Sequence, residues 1–316
     1  MIQKISCLSG FVALFASQFA YAASLQSAVD RINRAYDPHV SATSQPAHEV
    51  APLSGCEESM VTLSTTDPVT LKAGTVLLKQ YMPNSAKAAP SDAKTVIIFP
   101  PTGGENILDR GYADLFCFDG MRVVIIDDFT GYDDPSTLLS VHDNGALRAI
   151  AAIRHTLEYL DPSTPFKVGL LGTSLGAIDG SMAVGFDQRI GTATFIVGGG
   201  DVADVIAQSN EAPLIALGQE RMKRYGFESL AQYQAALEKS ITIDPLELSG
   251  LSGSKNVLFF MGLKDLTVPT VYQEMLYKAF GSQELVTYEG DHFDTIVHTF
   301  LFHHDKIRDF FKANLK

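Results

Sequence analysis

Lys167-Val168-Gly169-Leu170-Leu171-Gly172-Thr173-Ser174-Leu175-Gly176-Ala177 is the stretch on which the reading of the whole chain turns. Lys167–Leu171 is a short apolar run of the kind that forms a strand buried on both faces. From Ala177 to Val184 the residues are small and apolar and suit a helix. Between them lies Gly172-Thr173-Ser174-Leu175-Gly176, a match to G-x-S-x-G. Alone that match is weak, because glycine and serine are common; the strand before it and the helix after it give it force. A serine on a sharp strand-to-helix turn needs small neighbours so that two backbones can approach closely. The helix after the turn aims its N-terminus at the serine, which favours a developing negative charge there.

On both sides of this turn the chain alternates short β-branched runs with helical segments, the pattern of an α/β protein with a mostly parallel sheet. The expected strands are Met60–Leu63, Thr75–Tyr81, Thr95–Phe99, Arg122–Asp127, Lys167–Leu171, Ala193–Val197, Val257–Met261 and Leu285–Tyr288. Runs such as Val96-Ile97-Ile98-Phe99 are apolar on both pleat faces, as strands under two layers of helix are. Thr137–Leu160 reads as a long helix, with apolar residues near helical spacing and Asp161-Pro162 as its stop. Residues 201–250 form the widest gap between strands and are mostly helical in pattern. An insertion there lies above the strand ends, so the segment is read as a small cap, with Met222, Tyr225 and Phe227 as its expected pocket-facing residues.

The first residues carry an export signal. Lys4 is followed by an apolar run from Ile5 to Ala20, and Ala20-Tyr21-Ala22 is the small-x-small pattern at which such signals are cut. Residues 1–22 are therefore a signal peptide, and the mature chain is expected in the periplasm or outside the cell. Residues 23–58 are polar, contain Pro38, Pro46 and Pro52, and are read as an irregular lead into the main domain at 59–316. No later segment reads as a membrane span, so no stable span is expected in the mature protein. The formal charge of −12 argues against a nucleic-acid partner. Of three cysteines, Cys7 leaves with the signal. Cys56 and Cys117 remain, either as two buried thiols or as a disulfide, which would contribute roughly 4 kcal/mol by chain-entropy reasoning.

A serine hydroxyl is a weak nucleophile unless a base takes its proton. Eight histidines are available. His39 and His48 lie in the polar lead, His142 and His155 in the long helix, and His298, His303 and His304 in the last one. His292 is different: it sits in Glu289-Gly290-Asp291-His292-Phe293, on a loop after the final strand, where a side chain can reach over the sheet. Asp265, in Met261-Gly262-Leu263-Lys264-Asp265, falls just past the penultimate strand and is the candidate to orient the imidazole. The order Ser174, Asp265, His292 is the one expected for this architecture. An oxyanion needs two donors. Leu175 supplies one backbone N–H; the other comes from Pro100-Pro101-Thr102-Gly103-Gly104, where neither proline has an N–H to give. Thr102 is preferred, with Gly103 as the alternative.

Gly172–Gly176, Gly262–Pro269 and Gly290-Asp291-His292-Phe293 together resemble the α/β-hydrolase superfamily. Asp244-Pro245, ahead of Val257–Met261, resembles its dienelactone-hydrolase and carboxylesterase branches. The resemblance covers about residues 60–313. It implies a central sheet of about eight strands flanked by helices, no metal, no organic cofactor, and a small-molecule or acyl substrate. The function it implies is hydrolysis of a carboxylic ester or related acyl bond. A peptidase or lipase on the same scaffold, or a binding protein that kept the fold, are the alternatives. Gly198-Gly199-Gly200-Asp201 superficially suggests a phosphate loop but lacks G-x-x-x-x-G-K-[ST]. Nothing in the sequence specifies the acyl group, the alcohol or the oligomeric state.

Overall fold

Strand β4 (Thr95–Phe99) is buried along its whole length, and its pleat sends alternate residues to opposite sides. Ile97 and Phe99 join one apolar cluster, while Val96 and Ile98 join the other. The same division runs through β5 (Arg122–Phe129), β6 (Val168–Thr173), β7 (Ile190–Ile196) and β8 (Asn256–Gly262). Helices α3 (Val141–Leu160), α4 (Leu175–Phe186) and α9 (Thr270–Ala279) cover the first face. Helices α2 (Ile107–Phe118) and α10 (His292–Asn314) cover the second. Two apolar faces under two helical layers are what the continuous apolar runs of these strands require.

This computed structural model describes residues 25–46, 55–86, 93–129, 136–161, 167–252, 255–281 and 284–315. The expected signal peptide, residues 1–22, lies outside the described residues. One nine-stranded sheet has the order β1-β2-β3-β5-β4-β6-β7-β8-β9, with β1 (Ser41–Pro46), β2 (Cys56–Thr66), β3 (Ala73–Pro83) and β9 (Glu284–Tyr288) completing the set. From β5 to β9 every neighbouring pair is parallel; β1, β2, β3 and β5 pair antiparallel. β6 lies between β4 and β7, so the turn leaving β6 emerges at the centre of the sheet's carboxyl edge.

Eight of the strands coincide with the eight expected runs; the ninth, β1, corrects the reading of residues 23–58 as irregular. All six residues of β1 are exposed, so it carries no alternation from which a strand could be read. It is held by its backbone ladder to β2. Ahead of it, residues 25–35 form helix α1. Ala28 and Ile32 of α1 pack on Ala146, Leu147 and Ile150 of α3, and Arg31 pairs with the buried Asp143. Leu25, Ala28, Val29 and Ile32 stand at the i, i+3, i+4, i+7 spacing of an amphipathic helix, a short stripe hidden among polar residues. Cys56 and Cys117 form a disulfide with Cα atoms 6.2 Å apart, tying β2 to α2. Among the described residues no helix is long and apolar enough to cross a membrane.

Between β7 and β8 the chain makes α5 (Val202–Gln208), α6 (Ala212–Tyr225), α7 (Leu230–Ser240) and α8 (Pro245–Ser249). Asp244 fastens both ends of this excursion. It caps α8 through the N–H of Leu246 at 2.8 Å and accepts the N–H groups of Asp201 and Val202, at 3.1 and 2.7 Å, where α5 begins.

Candidate active site

The turn from β6 to α4 places Ser174 at φ 54°, ψ −119°, a region that a residue with a side chain enters only when its surroundings enforce it. The enforcement is steric and hydrogen-bonded. A Cβ on Gly176 would lie 2.1 Å from the Phe99 carbonyl oxygen, and one on Gly172 would lie 2.5 Å from the Gly176 oxygen. Glycine is thus required on both sides, as the motif anticipates. The Ser174 N–H donates to the Ile196 oxygen at 2.9 Å, and its own carbonyl accepts from Ala177 and Ile178 at 2.9 and 3.0 Å. Ser174 therefore stands at the carboxyl end of β6 and the head of α4.

Asp265 follows β8 in a tight turn and is 1% exposed. Its Oδ1 accepts the backbone N–H groups of Thr267 and Val268 at 2.8 and 3.0 Å. Its Oδ2 lies 2.8 Å from Gln273 Nε2 and 2.7 Å from His292 Nδ1. The carboxyl is thus surrounded by donors and fixed in one orientation. Gln273, not anticipated from the sequence, also donates to the Val268 carbonyl at 2.7 Å, which clamps α9 to this turn. Its only sequence signal is a polar residue on the inner face of α9, visible once the helix is placed.

His292 is the first residue of α10 rather than a loop residue. Asp291 caps that helix by accepting the Asp294 N–H at 2.9 Å. Two backbone bonds zip its turn to the Asp265 turn: Leu263 N–H to the Tyr288 oxygen at 2.8 Å and Lys264 N–H to the Gly290 oxygen at 3.1 Å. His292 Nε2 is 2.8 Å from Ser174 Oγ. An unbroken line of hydrogen bonds therefore joins Ser174, His292 and Asp265, whose elements meet only in the folded chain. His298, on the outer part of α10, instead stacks on Tyr288 with ring centroids 3.9 Å apart.

Leu175 is the first residue of α4, and its N–H has no acceptor among the described residues. The same holds for the N–H groups of Thr102 and Gly103. Thr102 and Leu175 line the same two cavities, one of which Ser174 lines as well. Leu175 and Thr102 thus share the larger cavity with Ser174, whereas Gly103 lines only the smaller one.

No family model matches the sequence, and no curated protein matches it. Solved structures do. An acetyl xylan esterase from Paenibacillus sp. R4 superposes with a TM-score of 0.69 at 15% identity, over 92% of this chain and 93% of that one. A cold-adapted esterase from an Arctic intertidal metagenomic library gives 0.55 at 16% identity, over 86% and 98%. The chain has the α/β-hydrolase fold. A puromycin-hydrolysing peptidase of Mycobacterium tuberculosis is similar to it as well, with a TM-score of 0.53 at 15% identity, over 82% of this chain and 46% of that one.

In this fold Ser174 opens into a cavity of about 430 Å³ roofed by α5 and α6. Val205, Ile206, Leu214 and Leu217 from those helices line it together with Ile178 and Met182 of α4. Met222 and Phe227, expected to face the pocket, pack instead against Ile206, Tyr233 and Leu237 within the helical layer. Tyr225 points outward. Arg221, fully buried, bonds the Ser136 and Leu138 oxygens, His142 Nε2 at 2.8 Å and Tyr233 Oη at 3.1 Å. That cluster fastens α6 to the start of α3. Burial, with Arg221 beside it, pushes the His142 imidazole down to about 3; it accepts from the guanidinium as a neutral ring.

A second cavity, of about 290 Å³, lies under the Pro100–Gly104 loop. Asp179, on the second turn of α4, lines both cavities and is 6% exposed. Burial alone pushes its carboxyl up to about 7.

Proposed function

We propose that this chain is an exported serine hydrolase that cleaves a carboxylic ester, or a closely related acyl bond, through an acyl-enzyme on Ser174. The observation that carries the reading is the continuous Ser174–His292–Asp265 line at 2.8 and 2.7 Å. In the proposed reaction His292 Nε2 takes the proton of Ser174 Oγ as that oxygen bonds to the carbonyl carbon. Asp265, held by its other donors, keeps the imidazole in the tautomer with Nε2 free and balances the cation that forms. The oxyanion is stabilised by the N–H groups of Leu175 and of Thr102 or Gly103. His292 then returns the proton to the leaving alcohol, and water releases the acid by the same path in reverse.

Export rests on the apolar run from Ile5 to Ala20 and the Ala20-Tyr21-Ala22 site. The ester preference is supported by the apolar walls of the larger cavity, which suit the methylenes of an acyl chain. The peptidase among the similar structures supports amide cleavage as the second reading. We further propose that α5 and α6 act as the cap that selects the acyl chain, since they supply one wall of that cavity.

A series of 4-nitrophenyl esters of increasing chain length tests the reading. Wild-type protein is expected to hydrolyse them, and Ser174→Ala to lose on the order of 10⁶-fold in kcat while remaining folded. Comparable turnover by the two proteins would remove Ser174 as the nucleophile.

A further inference from the structure

Asp179 is a buried carboxyl with no structural partner. Neither oxygen has a hydrogen-bond donor among the described residues, although the residue is 6% exposed, and no neighbouring charge contributes to its upward shift. Its helix neighbours Ile178 and Met182 show that this face of α4 accommodates apolar side chains. An unpaired carboxyl in such a place is unfavourable for the fold by itself. It stands where the two cavities meet, beside Thr102 and Leu175, which line both. The other charged side chains that line the two cavities have the same sign: Asp127 and Asp128 in the smaller, Glu211 in the larger; the Arg221 guanidinium lies behind His142 and Ser136 and is taken up by His142, Tyr233 and backbone oxygens. Among the described residues lining either cavity there is no lysine or arginine. Such a junction disfavours an acidic ligand group and leaves an acceptor waiting for a donor, most favourably a cationic one.

We propose that Asp179 is the specificity-determining group for a protonated amine carried on the acyl chain of the ester substrate. This rests on the hydrolase reading above. Asp179 is five positions beyond Ser174, the N-cap of α4, about 7.5 Å of rise at 1.5 Å per residue, and both line the larger cavity. An ω-ammonium about six bonds from the scissile carbonyl spans that offset. The methylenes lie against Ile178 and Met182, and the ammonium donates to the Asp179 carboxylate. The ligand's charge favours the ionised carboxylate, against the burial that favours the protonated form.

The test compares kcat/KM for three 4-nitrophenyl esters that differ only at the chain end: heptanoate, its ω-amino isostere and its ω-hydroxy isostere. The wild-type protein is expected to favour the amino ester over heptanoate at least tenfold, and Asp179→Asn to bring that ratio below one. A second measurement uses wild-type protein alone: hexylammonium should inhibit heptanoate hydrolysis at a concentration at least tenfold lower than hexanol does. Wild-type protein that hydrolyses heptanoate as well as the amino ester, or a preference that survives in Asp179→Asn, overturns the amine subsite and leaves the hydrolase reading standing. A preference for the hydroxy ester over the amino ester also overturns it, since a neutral donor would then suffice. Wild-type protein that hydrolyses none of the three, nor the acetate, overturns the hydrolase reading and this inference together.

Discussion

The turn after β8 and the second turn of α4 each bury an aspartate near the carboxyl end of the sheet, Asp265 at 1% exposure and Asp179 at 6%. Around Asp265 the fold brings two backbone N–H groups, the Gln273 amide and the His292 ring, all within 3.0 Å. Around Asp179, among the described residues, it brings nothing that donates. A carboxyl enclosed by donors is fixed in place and can orient another group; a carboxyl left without them costs stability and is ready to respond to a ligand. On the reading proposed here, the same side chain does two different jobs according to what the neighbouring groups present.

Removing the charge at each position sharpens that contrast. Asp265→Asn is expected to lose about 10⁴-fold in kcat, the scale seen when a triad carboxylate is replaced by an amide that favours the wrong imidazole tautomer. Steady-state kinetics on the acetate ester decide it, and a loss below tenfold would place the orienting role elsewhere. Asp179→Asn is expected to stabilise the protein, with a sign set by linkage. The carboxyl titrates at about 7 when folded against an ordinary 3.8. Between those values the folded state holds the proton that the unfolded chain has released, so its contribution to stability falls as pH rises. The gain in Asp179→Asn should therefore be absent below pH about 4 and grow to at most about 4 kcal/mol above pH about 7. Urea unfolding at several pH values reads this, and a gain that does not vary with pH contradicts the unpaired state of the carboxyl. The smallest effect expected is at Leu217, on the cap side of the larger cavity. Leu217→Phe shortens the space for the acyl chain, and the longest esters should lose roughly 10- to 100-fold relative to the acetate. An unchanged chain-length profile would make α6 scaffold rather than cap.

Much of the asymmetry between these two regions is already visible in the chain. Ser174 and Asp265 each come after a buried strand run and His292 follows the last strand, so their placement at one end of a parallel sheet can be read from pattern alone. Gly172 and Gly176 mark the tight turn because nothing larger fits there. Asp179 does not stand out in the sequence, since an aspartate four residues into a helix after such a turn is ordinary until the cavities on either side are seen. Gln273 and Arg221 are likewise defined by partners distant in sequence. Met222 and Phe227 turn away from the expected side because amphipathicity shows that a helix has an apolar face but not which neighbour covers it. β1 is hidden for the opposite reason: an exposed edge strand leaves no apolar pattern to find.

The most direct measurement is covalent. A fluorophosphonate reacts at a serine whose oxygen is activated by a neighbouring base and whose adduct is held by oxyanion donors. Peptide mass spectrometry of the labelled full-length protein should locate one adduct, on Ser174, absent from Ser174→Ala and strongly reduced in His292→Ala. No adduct on folded wild-type protein, or an adduct on another serine that persists in Ser174→Ala, would contradict the account.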